Sequence, residues 1–98
     1  MKEALIIDLE MTCCDDSSIP EEERETIEIG AVLMSLPDGK VLSEFQSVVR
    51  PVRHPRLTEI CIKVTGIVQS EVDGSREFPS VWNDGFLPWL GDRDSFCS

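Results

Sequence analysis

Two carboxylates interrupt an apolar segment near the start of the chain. In LIIDLEMTCC, which begins at residue 5, Asp8 and Glu10 follow three large apolar residues. Alternate residues of a β-strand point to the same side, so both acids would share one face, with Cα atoms about 6.6 Å apart. Two charges at that distance repel by roughly 2.5 kcal/mol at an effective dielectric constant of about 20. A divalent cation would relieve this repulsion, because Mg²⁺ binds carboxylate, water and phosphate oxygens.

An acidic pair of this kind also has an interpretation that requires no ligand. Many strands expose one face to solvent, and a D-x-E motif on such a face would simply be hydrated. The apolar residues before Asp8 favour a central strand instead, because they occupy both faces of the segment. The end of a central strand opens into the cleft where α/β sheets usually hold ligands.

The strands that would position the acids can be predicted from apolar and β-branched runs. These strands are Ala4–Glu10, Thr26–Leu36 and Val41–Arg50. The second is nearly continuous in apolar and β-branched residues, which predicts a central position. The PDGK segment at 37–40 has the residues of a turn, so the second and third strands should form an antiparallel hairpin. Ser95–Ser98 has the composition of a further strand.

Between the hairpin and the last strand, the sequence predicts an irregular loop and two short helices. The segment RPVRHPR at 50–56 contains two prolines and cannot form regular structure. A helix should cover Thr58–Thr65, with Thr58 as its N-cap and Gly66 as its stop. Ser70–Asp73 carries a capping signal for one more helical turn.

A third helix should begin at Pro79, a residue well suited to the first helical position. Its apolar residues recur at helical spacing and predict one buried face, formed by Trp82, Phe86, Trp89 and Leu90. The tryptophans are therefore assigned to the core. Pro88 should kink this helix because it cannot donate to the carbonyl of Asp84, and Gly91–Asp94 should form a loop.

Composition and charge restrict the class of protein. The 98 residues suffice for one domain, with 41% hydrophobic and 29% charged residues and a net charge of −10. The charge is uneven: residues 1–30 contain ten acids and two bases, and residues 40–63 contain five bases and two acids. The four cysteines lack zinc-ligand spacing. No apolar run approaches the roughly 20 residues that span a membrane, and no signal peptide is evident, so we expect a cytoplasmic protein with reduced thiols.

Four segments together resemble the RNase T-like 3′→5′ exonucleases of the DEDDh superfamily. They are LIIDLEMTC, ETIEIGAVLM, FQSVVRPVRHPRLTEICIKVTGIVQSEV and FPSVWNDGFLPWL. The histone-mRNA and RNA-interference-related exonucleases are the most similar subgroup. The resemblance implies an α/β, ribonuclease H-like fold, a mixed sheet with flanking helices. It also implies phosphodiester hydrolysis from the free 3′ end of a nucleic acid with two Mg²⁺ or Mn²⁺ ions.

The same resemblance implies roles for individual residues. Asp8 would ligate both ions and Glu10 one. Met11 and Thr12 match positions that contact the terminal nucleotide, and the segment Thr65, Gly66 and Ile67 matches the base and sugar pocket. Val64 departs from the leucine usual in the family. No residue pattern selects the 2′-hydroxyl, so the substrate could be single-stranded or 3′-overhanging RNA or DNA.

The family also requires two more aspartates and a histidine base, and the sequence contains no match to these motifs. His54 is the only histidine and is expected on a loop, near the arginines of 50–56, rather than at the base position. Residues 1–98 are therefore predicted to be the amino-terminal part of a single exonuclease domain, inactive by itself and prone to self-association. The alternatives are a non-catalytic nucleic-acid- or protein-binding relative, or a small acidic metal-binding module.

Overall fold

A computed structural model gives the structure of residues 2–15 and 18–91, and the backbone of residues 96 and 97. It contains a mixed sheet of four strands, β1 (Lys2–Met11), β2 (Thr26–Leu36), β3 (Lys40–Val48) and β4 (Phe96–Cys97). Their order in the sheet is β3-β2-β1-β4. β2 is antiparallel to both β1 and β3, whereas β4 runs parallel to β1.

The predicted strands are confirmed, with small differences at their ends. β2 has the predicted bounds, β1 is longer at both ends, and β3 begins and ends earlier than predicted. Arg50 lies beyond β3 and forms an isolated bridge with Glu77. Residues 96 and 97 of the strand predicted at 95–98 form β4, whereas residues 92–95 and 98 lie outside the described residues.

The amphipathic pattern of β2 explains its place between two other strands. Its alternate residues are buried against the helices, and the residues between them are half-buried. The buried set is Ile27, Ile29, Ala31, Leu33 and Ser35. The hairpin turn after β2 closes through a bond from the Gly39 N–H to the Ser35 carbonyl (2.8 Å). Gly39 adopts φ = 73°, a conformation that is costly for residues with a Cβ.

The first two helices begin near their predicted positions. The helix α1 (Glu59–Thr65) has Thr58 as its N-cap, whose hydroxyl accepts from the Cys61 N–H (3.1 Å), and it ends at Gly66 with φ = 76°. The helix α2 (Gln69–Asp73) is capped at Val68 rather than at Ser70. Here the carboxylate of Glu71 accepts from the Val68 N–H (3.0 Å), so a side chain within the helix makes the capping bond and Ser70 lies inside the helix.

The third helical segment, which we call the aromatic helix, runs from Phe78 to Leu90. It consists of α3 (Phe78–Ser80), a π-helical turn (Val81–Phe86) and α4 (Leu87–Leu90). It begins one residue before the predicted Pro79. A kink is predicted at Pro88; the structure has a π-helical turn directly before it, in which the Leu87 N–H bonds to the Trp82 carbonyl. A proline that removes one hydrogen bond of an α-helix favours such a change of pattern.

Two groups of buried side chains form the core. One joins β2 to α1 and α2 and consists of Ile27, Leu57, Cys61, Ile67 and Val72. The other lies under the aromatic helix and consists of Ile29, Ala31, Val49, Val81 and Phe86. Both tryptophans pack against this second group, as predicted, and the Trp89 indole donates to the Ser43 hydroxyl (2.8 Å). None of the described helices is long and apolar enough to cross a membrane.

Candidate active site

The register of the sheet places Asp8 and Glu10 on one face of β1. Asp8 lies opposite Gly30 of β2, and Glu10 lies opposite Glu28. Asp8 is exposed and Glu10 is half-buried. Asp8 lines an open cavity of about 380 Å³ on this face, whose other lining residues include Ile6, Gly30, Val32, Glu44 and Gln46. Because Gly30 has no side chain, the space beside the Asp8 carboxylate stays open.

Glu28 is a third acid at this face that the sequence analysis did not identify. It is the cross-strand neighbour of Glu10, and such neighbours have Cβ atoms about 4.5–5.5 Å apart. Its carboxylate accepts a hydrogen bond from the Gln46 amide (2.9 Å). Like charges in this arrangement destabilise a sheet. Strand alternation could have placed Glu28 on one face of β2, but only the register between β1 and β2 puts it beside Glu10.

The chemistry of Asp8 and Glu10 fits a hard divalent cation. Neither carboxylate makes a hydrogen bond or an ion pair with another described residue, so their oxygens are available as ligands. No group of three or more histidine, cysteine or acidic side chains in the described part of the chain could hold a metal ion. Asp8 and Glu10 can therefore provide only part of a ligand set.

The two residues that follow the acids differ in accessibility. A register shift between Glu10 and Met11 interrupts the pairing with β2, and the Met11 side chain is 40% exposed. Thr12 is only 1% exposed. Its N–H donates to the Glu25 carbonyl (2.8 Å), and its hydroxyl accepts from the Glu25 N–H (2.9 Å). The side chain of Met11 can meet a ligand, whereas that of Thr12 is used to hold the fold.

The second predicted substrate-binding segment lies at the end of α1. The Thr65 hydroxyl donates to the Cys61 carbonyl (2.8 Å) and accepts from the Ile67 N–H (3.1 Å). Ile67 is buried in the core and Gly66 is exposed. The exposed backbone at Gly66 is therefore the accessible part of this segment.

Helix α1 also packs directly against the residues after the acids. The Thr58 hydroxyl donates to the Cys13 carbonyl (2.6 Å), and the Cys61 thiol lies 3.9 Å from the Met11 carbonyl. Because Thr65 is one turn beyond Cys61, the fold brings the two predicted substrate-binding segments to the same end of the sheet.

His54 lies on the loop before α1, as predicted. Its Nε2 atom is 2.8 Å from a carboxylate oxygen of Glu23, and no bond links it to Asp8 or Glu10. The loop is held by the carboxylate of Glu25, which accepts from three consecutive N–H groups, those of Val52, Arg53 and His54, at 2.7–2.9 Å.

Glu25 has an altered acidity as a result. Burial by itself would raise the pKa of the Glu25 carboxyl, but the N–H groups of the loop and the nearby His54 outweigh it and hold the pKa below its ordinary value of 4.5. Hydrogen bonds to the charged form have this effect. The carboxylate is therefore a structural anchor for the loop rather than a candidate catalytic group.

Comparison with known proteins finds an exonuclease family and individual exoribonucleases that are similar to most of the chain. The sequence profile of the RNase T exonuclease family matches residues 5–94. Human ERI1 exoribonuclease 2 is 44% identical over 69 residues, which are 70% of this chain and 10% of that protein. The 3′-5′ exoribonuclease 1 of Rattus norvegicus is 40% identical over 97 residues, which cover 94% of this chain and 28% of the relative. The chain thus spans about a tenth to a quarter of these relatives' lengths.

Two solved nuclease structures have a similar arrangement. The nuclease domain of 3′hExo, described as a DEDDh family member bound to rAMP, has a TM-score of 0.80 and 35% identity; the match covers 91% of this chain and 44% of that domain. Cell-death related nuclease 4 (CRN-4) has a TM-score of 0.80 and 29% identity, over 98% of this chain and 33% of the other. The ribonuclease H-like fold implied by the sequence is confirmed.

Proposed function

The chain belongs to the RNase T exonuclease family, and from this premise we propose that it forms the amino-terminal part of a 3′→5′ exonuclease domain that acts on RNA. The choice of RNA is supported by the relatives, several of which are named exoribonucleases. Membership of the family removes the alternative of an unrelated acidic module. A non-catalytic relative remains as the second candidate, and the assay below separates the two.

One observation carries the proposal, namely the position of Asp8 and Glu10 on a strand face that opens to solvent. Met11, which directly follows Glu10, and Gly66, at the end of α1, are both exposed. A terminal nucleotide held by these two residues would present its phosphate to the two acids. The open space above Gly30 leaves room for that phosphate next to Asp8.

The residues of this chain would contribute binding and orientation. Asp8 would ligate both divalent ions and Glu10 one, and the bound ions would activate a water and stabilise the leaving oxygen. Met11 offers an apolar side chain to the terminal nucleoside, and the backbone at Gly66 can approach it closely. Thr12 acts indirectly, since its two bonds to Glu25 fix the chain after the acids.

We propose that the 98 residues do not hydrolyse RNA by themselves. Two carboxylates hold one ion weakly, whereas the reaction requires two ions and a base that takes a proton from water. No described residue completes this set, because His54 is bonded to Glu23, the carboxylate of Glu28 beside Glu10 is bonded to Gln46, and no group of three or more acidic, histidine or cysteine side chains among the described residues could hold a metal ion.

The test compares the 98-residue chain with a chimera. In the chimera, the carboxy-terminal half of the 3′hExo nuclease domain follows residue 98. Both are incubated with a 5′-labelled single-stranded RNA and Mn²⁺. We expect stepwise shortening from the 3′ end by the chimera only, and its loss on substitution Asp8→Asn. A folded chimera that binds RNA without shortening it would support the non-catalytic relative, and equal activity of the 98-residue chain would refute the proposed inactivity.

A further inference from the structure

A second cavity lies away from the two acids, between the loop after β3 and the start of the aromatic helix. Its volume is about 360 Å³. Apolar side chains form much of its wall, notably Val52 and Phe78, which are 60% and 39% exposed. The charged residues that line it are Glu25, Arg50 and Glu77. It shares no lining residue with the cavity that contains Asp8.

The ring of Phe78 is the outer end of a column of aromatic rings. It stacks on Trp82, with centroids 5.6 Å apart and an interplanar angle of 19°. Trp82 stacks in turn on Phe86, at 4.4 Å and 22°, and Phe86 is fully buried. The ring of Phe78 is therefore held by its packing on Trp82, and its exposed part lines the cavity. A planar ring could extend the column by one member.

Two arginines belong to the loop after β3: Arg50 is a lining residue of the cavity, and Arg53 follows the lining residue Val52 in the sequence. Arg50 lines the cavity, and its single described ion pair, with Glu77 (3.0 Å), leaves most of its five N–H donors available. Arg53 is exposed and makes no ion pair with a described side chain. The loop that carries Arg53 is held in place because the Glu25 carboxylate accepts hydrogen bonds from the N–H groups of residues 52–54. The Glu25 carboxylate is thus used by the loop and the Glu77 carboxylate by Arg50. Arg50 keeps N–H donors that this pair does not use, and Arg53 has no ion pair with a described side chain.

We propose that this cavity binds a nucleotide of single-stranded RNA at a site separate from Asp8 and Glu10. The base stacks on Phe78, and the adjoining phosphates contact Arg50 and Arg53. An aromatic platform beside cationic groups is the usual means of binding single strands without sequence preference. An apolar peptide would cover Phe78 and Val52 but would leave Arg53 without an anionic partner and Arg50 with Glu77 alone. The proposal takes its ligand class from the proposed function, but it requires neither metal nor hydrolysis.

The test measures binding of a fluorescein-labelled single-stranded RNA to the 98-residue chain by anisotropy, in EDTA so that the metal site contributes nothing. We expect Phe78→Ala to weaken binding by at least about fivefold, as removal of a base-stacking ring does. Phe78→Leu keeps an apolar side chain without an aromatic face and should weaken it similarly. Arg53→Glu should weaken binding and reduce its dependence on salt. Circular dichroism verifies that each variant is folded.

Matched variants test whether these effects belong to the cavity. Leu87→Ala removes an equally exposed apolar side chain from the same helical segment (42% exposed), and Lys40→Glu makes the same charge reversal at the opposite end of β3. Both should bind as the unchanged chain does. An oligomer without bases should compete poorly.

Three results would overturn the proposal. They are the absence of metal-independent RNA binding, full binding by Phe78→Leu, and equal competition by the oligomer without bases. An inactive chimera together with Phe78-dependent binding would refute the proposed hydrolysis and leave this second site supported. An active chimera without Phe78-dependent binding would support the proposed hydrolysis and refute the second site.

Discussion

Thr12 and Glu25 exchange two hydrogen bonds across the start of β2. The N–H of Thr12 donates to the carbonyl of Glu25 (2.8 Å), and the hydroxyl of Thr12 accepts from the N–H of Glu25 (2.9 Å). The side chain of Glu25 holds the loop at 52–54 in turn. This pair therefore links the residues after the two acids to the loop that carries Arg53.

The hydroxyl of Thr12 should be important for stability. Thr12→Val keeps the shape of the side chain but leaves the N–H of Glu25 without its acceptor, which should lower the free energy of unfolding by about 1–3 kcal/mol. Thr12→Ser retains the hydroxyl and should lose roughly 0.8 kcal/mol, the contribution of one buried carbon. Urea unfolding measures both. An equal loss in the two variants would mean that packing, not the hydrogen bond, is responsible.

The Glu25 carboxylate should make stability depend on pH. Its pKa in the folded chain is lowered, so its contribution is fully present above its ordinary value of 4.5 and is lost as the pH falls through the lower, folded-state value. Glu25→Gln should therefore reduce the free energy of unfolding by about 1–2 kcal/mol at pH 7. The difference from the unchanged chain should shrink toward pH 3. A difference between Glu25→Gln and the unchanged chain that stayed the same from pH 7 to pH 3 would contradict this prediction.

Asp8 and Glu10 should be the metal-binding residues of this chain. We expect titration calorimetry with Mn²⁺ to detect weak binding, because only two carboxylates are supplied. Asp8→Asn and Glu10→Gln should each weaken it further, and Glu59→Gln should not. Binding that is unchanged in the double variant would exclude the two residues as ligands.

His54 should not act as the general base. In the chimera described above, His54→Ala should leave the turnover rate nearly unchanged, because His54 is bonded to Glu23 and lies on the loop before α1. Removal of a general base usually lowers the rate by about 100-fold or more. A decrease of that size, with normal circular dichroism, would contradict this prediction. A change confined to KM would be compatible with a role in placing the loop.

The 98-residue chain should associate with itself through β1. The pairing of β4 with β1 ends at Ala4, so the following residues of β1 have no described neighbour on that side, and Ile7 and Leu9 are 43% and 44% exposed. Unpaired apolar strand edges favour association. Sedimentation should show a mass that rises with concentration, and Leu9→Lys should reduce this rise. Val41→Lys, at an equally exposed apolar position on β3, serves as the control; an identical effect of both would argue against β1.

Much of the fold could be predicted because its determinants are local. The alternation in β2, the Pro37-Asp38-Gly39 turn and the pair Thr58 and Gly66 each fix a strand, a turn or a helix from residues a few positions apart. The sequence also determined that Asp8 and Glu10 share a face, since this requires only that residues 4–10 form a strand. The family resemblance rested on the same short segments.

The tertiary structure decided what depends on residues that are distant in the chain. Glu28 lies beside Glu10 because of the register between β1 and β2. Thr12 is buried because the chain folds back and places Glu25, thirteen residues later, in hydrogen-bond contact with it. The anchoring of the loop by Glu25 likewise joins positions 27–29 residues apart. Periodicity and capping signals describe neighbours within a few residues, whereas these contacts are selected by the packing of the whole sheet and its helices, in which each partner is fixed only when all the others are in place.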